Sequence, residues 1–151
     1  MAELTSQQIG KCGELLVQYW LLKDGIDSAP MTTDPGIDLV TFPDVRAGPE
    51  ARPKPITIQV KTTSSWDDGS ASSEGVVWPV PWPCAADYIA LVDRERDKLW
   101  FFSRADFEVR STKAGPALRL GWHIKRQGKR NEPDYQAWEG EAGIPRLLTL
   151  T

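Results

Sequence analysis

The chain has 151 residues, 40% of them hydrophobic and 26% charged, and a formal net charge of −3. That length supports one hydrophobic core without covalent staples, so a single domain over 1–151 is expected. The balance argues against a protein that coats nucleic acid by bulk positive charge, though not against a local basic surface, and two isolated cysteines, Cys12 and Cys84, argue against a disulfide framework or a zinc cluster. No apolar run reaches membrane-spanning length and no charged-then-apolar leader is present, so a reducing cytoplasm is the expected setting.

Thr5 with Gln8 three residues on is a capping-box pattern, and Gly25 is a stop, which together predict a helix between them. Its 3.6-residue period sets Ile9, Cys12, Leu16, Tyr19, Trp20 and Lys23 along one side. Gly10, Glu14, Val17 and Leu21 form a second stripe, so Glu14 shares a stripe with apolar residues, either half-buried or snorkelling to water. Gly36–Val40 and Ile56–Thr63 read as short strands, apolar and β-branched between Gly and Pro. Strand alternation puts Thr57, Gln59 and Lys61 on one face and Ile56, Ile58 and Val60 on the other. Asp38 lies beside Gln59 and Lys61 if the two strands are neighbours. An acid, an amide oxygen and a lysine at one spot suit a divalent metal and a phosphate. The connector with Pro43, Pro49, Pro53 and Pro55 reads as a long irregular loop.

Residues 64–83 are Ser/Gly/Asp-rich and then Trp/Pro-rich, and read as a flexible excursion; most of the seven tryptophans read as core or interface residues, but Trp66, Trp78 and Trp82 in this stretch could instead stack on bases or pack a subunit contact. Tyr88–Val92 is a continuous apolar run, as in a strand covered on both faces. The charged turn Arg94–Asp97 and the run Leu99–Phe102 make it a hairpin, and Ser103 caps a short helix through Val109. Leu118, Leu120, Trp122 and Ile124 alternate with Arg119, Gly121, His123 and Lys125, which predicts a half-buried edge strand. Arg119, Lys125, Arg126, Lys129 and Arg130 are five cations without an acid among them, either a solvated face or a nucleic-acid-binding surface on phosphates. His123, the only histidine, reads as a surface strand residue.

The order of these pieces, with Gly13-Glu14 on a helix, Gly36-Ile37-Asp38 opening a strand and Gln59-Val60-Lys61 on the next, resembles the PD-(D/E)XK nuclease superfamily. Within it the chain is similar to archaeal Holliday-junction resolvases and to the small homing-endonuclease branch whose last motif reads Q-x-K; Ala86–Asp93 followed by Leu99-Trp100-Phe101 also looks like that branch. The resemblance covers roughly residues 9 to 110. It implies an α/β fold with a restriction-endonuclease-like mixed central sheet flanked by helices. It further implies Mg²⁺-dependent (or Mn²⁺-dependent) hydrolysis of DNA phosphodiesters by Asp38, Gln59, Lys61 and Glu14. Asp38, Gln59 and Glu14 would hold the metal, DNA would be the partner, and a dimer or higher homo-oligomer the assembly. Two positions depart from the family pattern: no proline immediately precedes Asp38, and Gln59 stands where the family has Asp or Glu. A carboxamide oxygen coordinates a hard cation without bringing charge, so Asp38 and Glu14 must supply it. The same departure supports the alternative of a catalytically inactive nuclease-fold module that binds nucleic acid or another protein.

Overall fold

Thr5 caps the first helix as its capping box predicts. In the computed structural model, which describes residues 3–33, 36–43, 54–63, 66–67, 74–125 and 128–148, the Gln8 N–H donates to Thr5 Oγ1 and the Thr5 N–H to Gln8 Oε1. Helix α1 (Ser6–Lys23) thus begins with two otherwise unpaired donors satisfied. Gly25, with φ 73°, supplies the left-handed turn that ends it. Burial falls on Gly13, Val17 and Leu21, with Leu16 and Trp20 partly covered, whereas Cys12 and Tyr19 face solvent. The second stripe is therefore the core-facing one. The reason is Gly13, where a Cβ would lie 1.8 Å from Thr62 Oγ1 and 3.0 Å from Thr62 Cβ, so the helix settles on the sheet at that point.

This close approach gives a first prediction. Gly13→Ala should cost about 1–3 kcal/mol, the usual scale of overpacking, because no Thr62 rotamer moves its Cβ away. Thr62 Oγ1 is buried without a hydrogen-bond partner among the described residues. Urea unfolding of Gly13→Ala alone and in a Thr62→Ala background checks it; equal costs in the two backgrounds would refute the contact.

Among the described residues nine strands form two sheets. In chain order they are β1 (Ser28–Pro30), β2 (Leu39–Thr41), β3 (Ile56–Thr63), β4 (Trp66–Asp67), β5 (Glu74–Pro81), β6 (Tyr88–Asp93), β7 (Lys98–Ser103), β8 (Thr112–Ala114) and β9 (Ala117–His123). The first sheet has the order β1-β2-β3-β6-β7 and the second β4-β5-β9-β8. β3 and β6 run parallel while the other pairs in the first sheet are antiparallel, so the sheet is mixed. β6 is buried along its whole length, between two cores. One core packs α1 and α3 (Gly140–Leu148) on Ile58, Val60, Ala90 and Phe101; the other packs the second sheet on Ile89, Leu91, Trp100 and Phe102. Helix α2 (Arg104–Arg110) starts at Ser103, whose hydroxyl accepts the Asp106 N–H. A 3-10 helix, Glu132–Trp138, precedes α3, and its Glu132 is clamped by Arg96 and Lys98.

Residues 74–81 correct the expectation of a flexible excursion. They form β5, paired with β9 from Gly75↔His123 to Pro81↔Ala117. Trp78 is fully buried, 4.8 Å from the Trp122 ring, and its Nε1–H donates to Val92 O, tying the second sheet to the first. It is a core residue and not a base-stacking one. Trp82 packs on Phe107, and the Trp66 side chain lies outside what is described. The prolines misled because Pro breaks a ladder. The Trp82 N–H bonds to Pro116 O, so by alternation the nitrogens of Pro79 and Pro81 point to the edge away from β9, where no ladder bond is lost. β9 likewise is no edge strand, since β8 pairs on its far side. No helix among the described residues is long and apolar enough to cross a membrane.

Candidate active site

Leu39 packs into the α1-side core with Ile58 and Val60, and Gln59 and Lys61 take the other face of β3. Asp38 immediately precedes β2 and lies against β3: its N–H donates to Ile58 O, and the Val60 N–H donates to Asp38 Oδ2 at 2.7 Å. The carboxylate is thereby fixed to the strand backbone between the two Q-x-K side chains. Burial pushes the Asp38 carboxyl above its ordinary range, the Val60 N–H draws it back, the Glu14 charge adds to the rise, and Lys61 and Lys11 oppose it. These four charged groups therefore share one electrostatic neighbourhood. Glu14 comes from α1, which packs the sheet face opposite Gln59 and Lys61; it keeps 23% of its side chain exposed and pairs with Lys11 Nζ at 2.8 Å.

Gln59 is 5% exposed. Its Oε1 accepts the Cys84 thiol at 3.1 Å, which leaves a second lone pair on the same oxygen. Lys61 is half-buried, two residues further along the same face.

A solved structure described as a bacterial homing endonuclease, I-Ssp6803I, matches the chain with a TM-score of 0.66 at 16% identity, over 97% of this chain and 93% of that one. The two share a fold. No family model matches the chain, and no curated protein does. The nuclease-like fold thus extends through the C-terminal forty residues that the sequence motifs left unassigned, where β9 and the 3-10 helix cover the second core and α3 the first.

Within this nuclease-like fold two neighbours of the site carry no sequence signal. Cys84 lies just before β6, and Thr57 holds that segment against β3: Asp87 Oδ2 accepts the Thr57 N–H at 2.9 Å and the Thr57 hydroxyl at 2.8 Å. Burial raises the Cys84 thiol, the Ala86 N–H lowers it, and the charges of Arg104, Lys61 and Asp38 reach it. Arg104, exposed at the start of α2, donates through Nη1 to Cys84 O at 3.4 Å. Only the parallel pairing of β3 with β6, which sets Gln59 opposite Ile89, brings these residues together.

The basic residues sit elsewhere. Arg119 is exposed on β9, and Lys125, Lys129 and Arg130 are exposed beyond its end, where the His123 N–H donates to Arg130 O at 3.0 Å. Arg126 lies outside the described residues.

Proposed function

We propose that this chain is a metal-dependent DNA endonuclease, a single nuclease-like domain of the PD-(D/E)XK type acting in the cytoplasm. The observation that carries the reading is the hydrogen bond of the Asp38 carboxylate to Val60 N–H, between Gln59 and Lys61 in β3, in the fold of a protein described as a homing endonuclease.

The donors fit Mg²⁺ or Mn²⁺. They are hard oxygens, two carboxylates and a carboxamide, and the burial that raises Asp38 is a cost that a bound cation reverses. No group of three or more His, Cys, Asp or Glu residues gathers among the described residues, so water and substrate phosphate would complete the shell, as is usual for Mg²⁺. Asp38, Gln59 and Glu14 would hold the ion. Bound there, it supplies an acidified water and neutralises charge on the scissile phosphate. Asp38 is aimed by its backbone hydrogen bond, so the donor costs little to organise. Lys61 offers a point charge on the same face, to orient the attacking water or meet the charge developing on phosphorus. Cutting both strands of a duplex takes two such sites, which calls for a dimer or higher homo-oligomer.

Nicking of supercoiled plasmid with Mg²⁺ and none with chelator is the deciding assay. Salt-dependent DNA binding without nicking would select a binding module instead, the reading favoured by the neutrality of Gln59 and its hydrogen bond from Cys84. The basic segment gives a further expectation. Lys129→Ala with Arg130→Ala should weaken binding to all duplexes alike and flatten the slope of log affinity against log salt by about two, one for each lost phosphate contact. Titrations at several salt concentrations check this; an unchanged slope would return both residues to an ordinary solvated face.

A further inference from the structure

We propose that the outward face of the second sheet, made by β5, β9 and β8, enters the major groove of duplex DNA and reads base edges there, with Arg119 as its central contact. The inference rests on the reading of the protein as a DNA-binding endonuclease.

Charge is strongly segregated in this chain. Arg110, Lys113, Arg119, Lys125, Arg126, Lys129 and Arg130, seven of its 18 cations, lie between Val109 and Asn131 with no carboxylate among them. The rest of the chain carries the other eleven against all 21 acids. A polyanion would meet this segment and be repelled by much of the remainder.

The sheet gives that segment a shape. Val76, Trp78, Val80, Leu120 and Trp122 point into the core, so Val77, Pro79, Arg119, Gly121 and His123 point out. Arg119 lies between Pro79 on one side and Thr112 on the other, and Gly121 lies opposite Val77. Arg119 makes no ion pair among the described residues, whereas Arg96 and Arg110 are each bound to a carboxylate. A cleft of about 520 Å³ runs over this face, bordered by Arg119, His123 and Arg130. Its floor is bare at Gly121, where a Cβ would come within 2.6 Å of Val76 O. Arg130 reaches the cleft because the His123 N–H holds its carbonyl.

These features match a groove reader. β5 and β9 pair over the seven positions from Gly75 to Pro81, about 20 Å at roughly 3.4 Å per residue. The B-DNA major groove, about 12 Å wide, admits a two-stranded ribbon. An arginine fixed on a strand presents the bidentate fork that guanine accepts, while Val77 and Pro79 suit a thymine methyl. Arg130 and Lys129 at the margin fall to phosphates. The major groove of A-form RNA is too deep and narrow for such a face.

The test uses a duplex library with a randomised centre, selected on the full-length protein in chelator. Binding of the enriched and unselected pools is then compared at one salt concentration. Arg119→Ala should lower the ratio of the two affinities roughly 10- to 100-fold while affinity for the unselected pool falls only a few-fold. Val77→Asp, a carboxylate on the face, should weaken both pools about tenfold or more; should it lower the melting temperature, Arg119→Ala alone decides. An RNA duplex of the enriched sequence should bind no better than unselected DNA. Failure to enrich, a preference indifferent to Arg119→Ala, or equal binding of the RNA duplex would overturn the proposal. Nicking is scored separately. A wild type that never nicks yet loses its preference with Arg119→Ala sinks the endonuclease reading and leaves this face standing. Nicking with a preference blind to Arg119 does the reverse.

Discussion

Asp38→Ala is expected to abolish cleavage while leaving the fold and DNA binding in place. The change removes the charged donor that lies against β3 at the start of β2. Losing several kcal/mol of charge stabilisation at a scissile phosphate slows turnover by roughly 10²- to 10³-fold or more. Binding should hold or tighten, since one negative charge near the phosphate is gone. Asp38→Asn separates chemistry from structure, because its carboxamide oxygen can still accept the Val60 N–H. Burial raises the folded-state pKa of Asp38, so the ionised side chain costs stability. That cost is absent below the ordinary carboxylate range and grows as pH rises from there through the raised value. Asp38→Asn should therefore melt higher than wild type at neutral pH in chelator, with the gain vanishing in acid. Added Mg²⁺ should stabilise wild type more than the variant. Nicking rates together with melting curves at neutral and acid pH make the measurement. Wild-type nicking that survives Asp38→Ala would put the metal site elsewhere.

Gln59→Glu should act with opposite signs in the absence and presence of metal. Gln59 is buried and the Asp38 carboxylate is bonded to the next residue, Val60, so in chelator a second carboxylate at 59 should lower the melting temperature by desolvation and like-charge repulsion. The Cys84 thiol can still donate to it, which limits the loss. With Mg²⁺ the added charged oxygen should lower the midpoint for activity about tenfold or more, as ligand charge sets the affinity of hard-cation sites. If the glutamine has silenced turnover, the same change should restore nicking. Rate against Mg²⁺ concentration for wild type and variant is the reading; an unmoved midpoint would remove Gln59 from the ligand set.

Local signals carried much of this fold. The Thr5–Gln8 box, the run Tyr88–Val92 with its charged turn and the Ser103 cap each depend on residues a few positions apart, and each forms as the sequence predicts. Long-range pairing was harder to see. Nothing near Glu74–Pro81 announces β9 as its partner, and Pro79 and Pro81 argue for a loop until it is known which edge they face. The site divides in the same way. Alternation gave the shared face of Gln59 and Lys61, and motif order gave Asp38, whereas Cys84 and Arg104 enter only through the β3–β6 pairing. On α1 the period was legible but not its buried side, because Gly13, with no side chain to count as apolar, decides it.

The two sheets are threaded through one another: β5 leaves the chain between β3 and β6 yet finds its long partner in β9. On the ribosome, where the chain emerges from its N-terminus, this fixes an order of events. The β6–β7 hairpin can close early. Trp78 and Trp100 cannot be covered until Leu120 and Trp122 have emerged, and Gln59 and Lys61 lie on the face against which that second layer assembles. A chain that stops short of Trp122 therefore lacks its second core, and Gln59 and Lys61 wait on that face until β9 has been added.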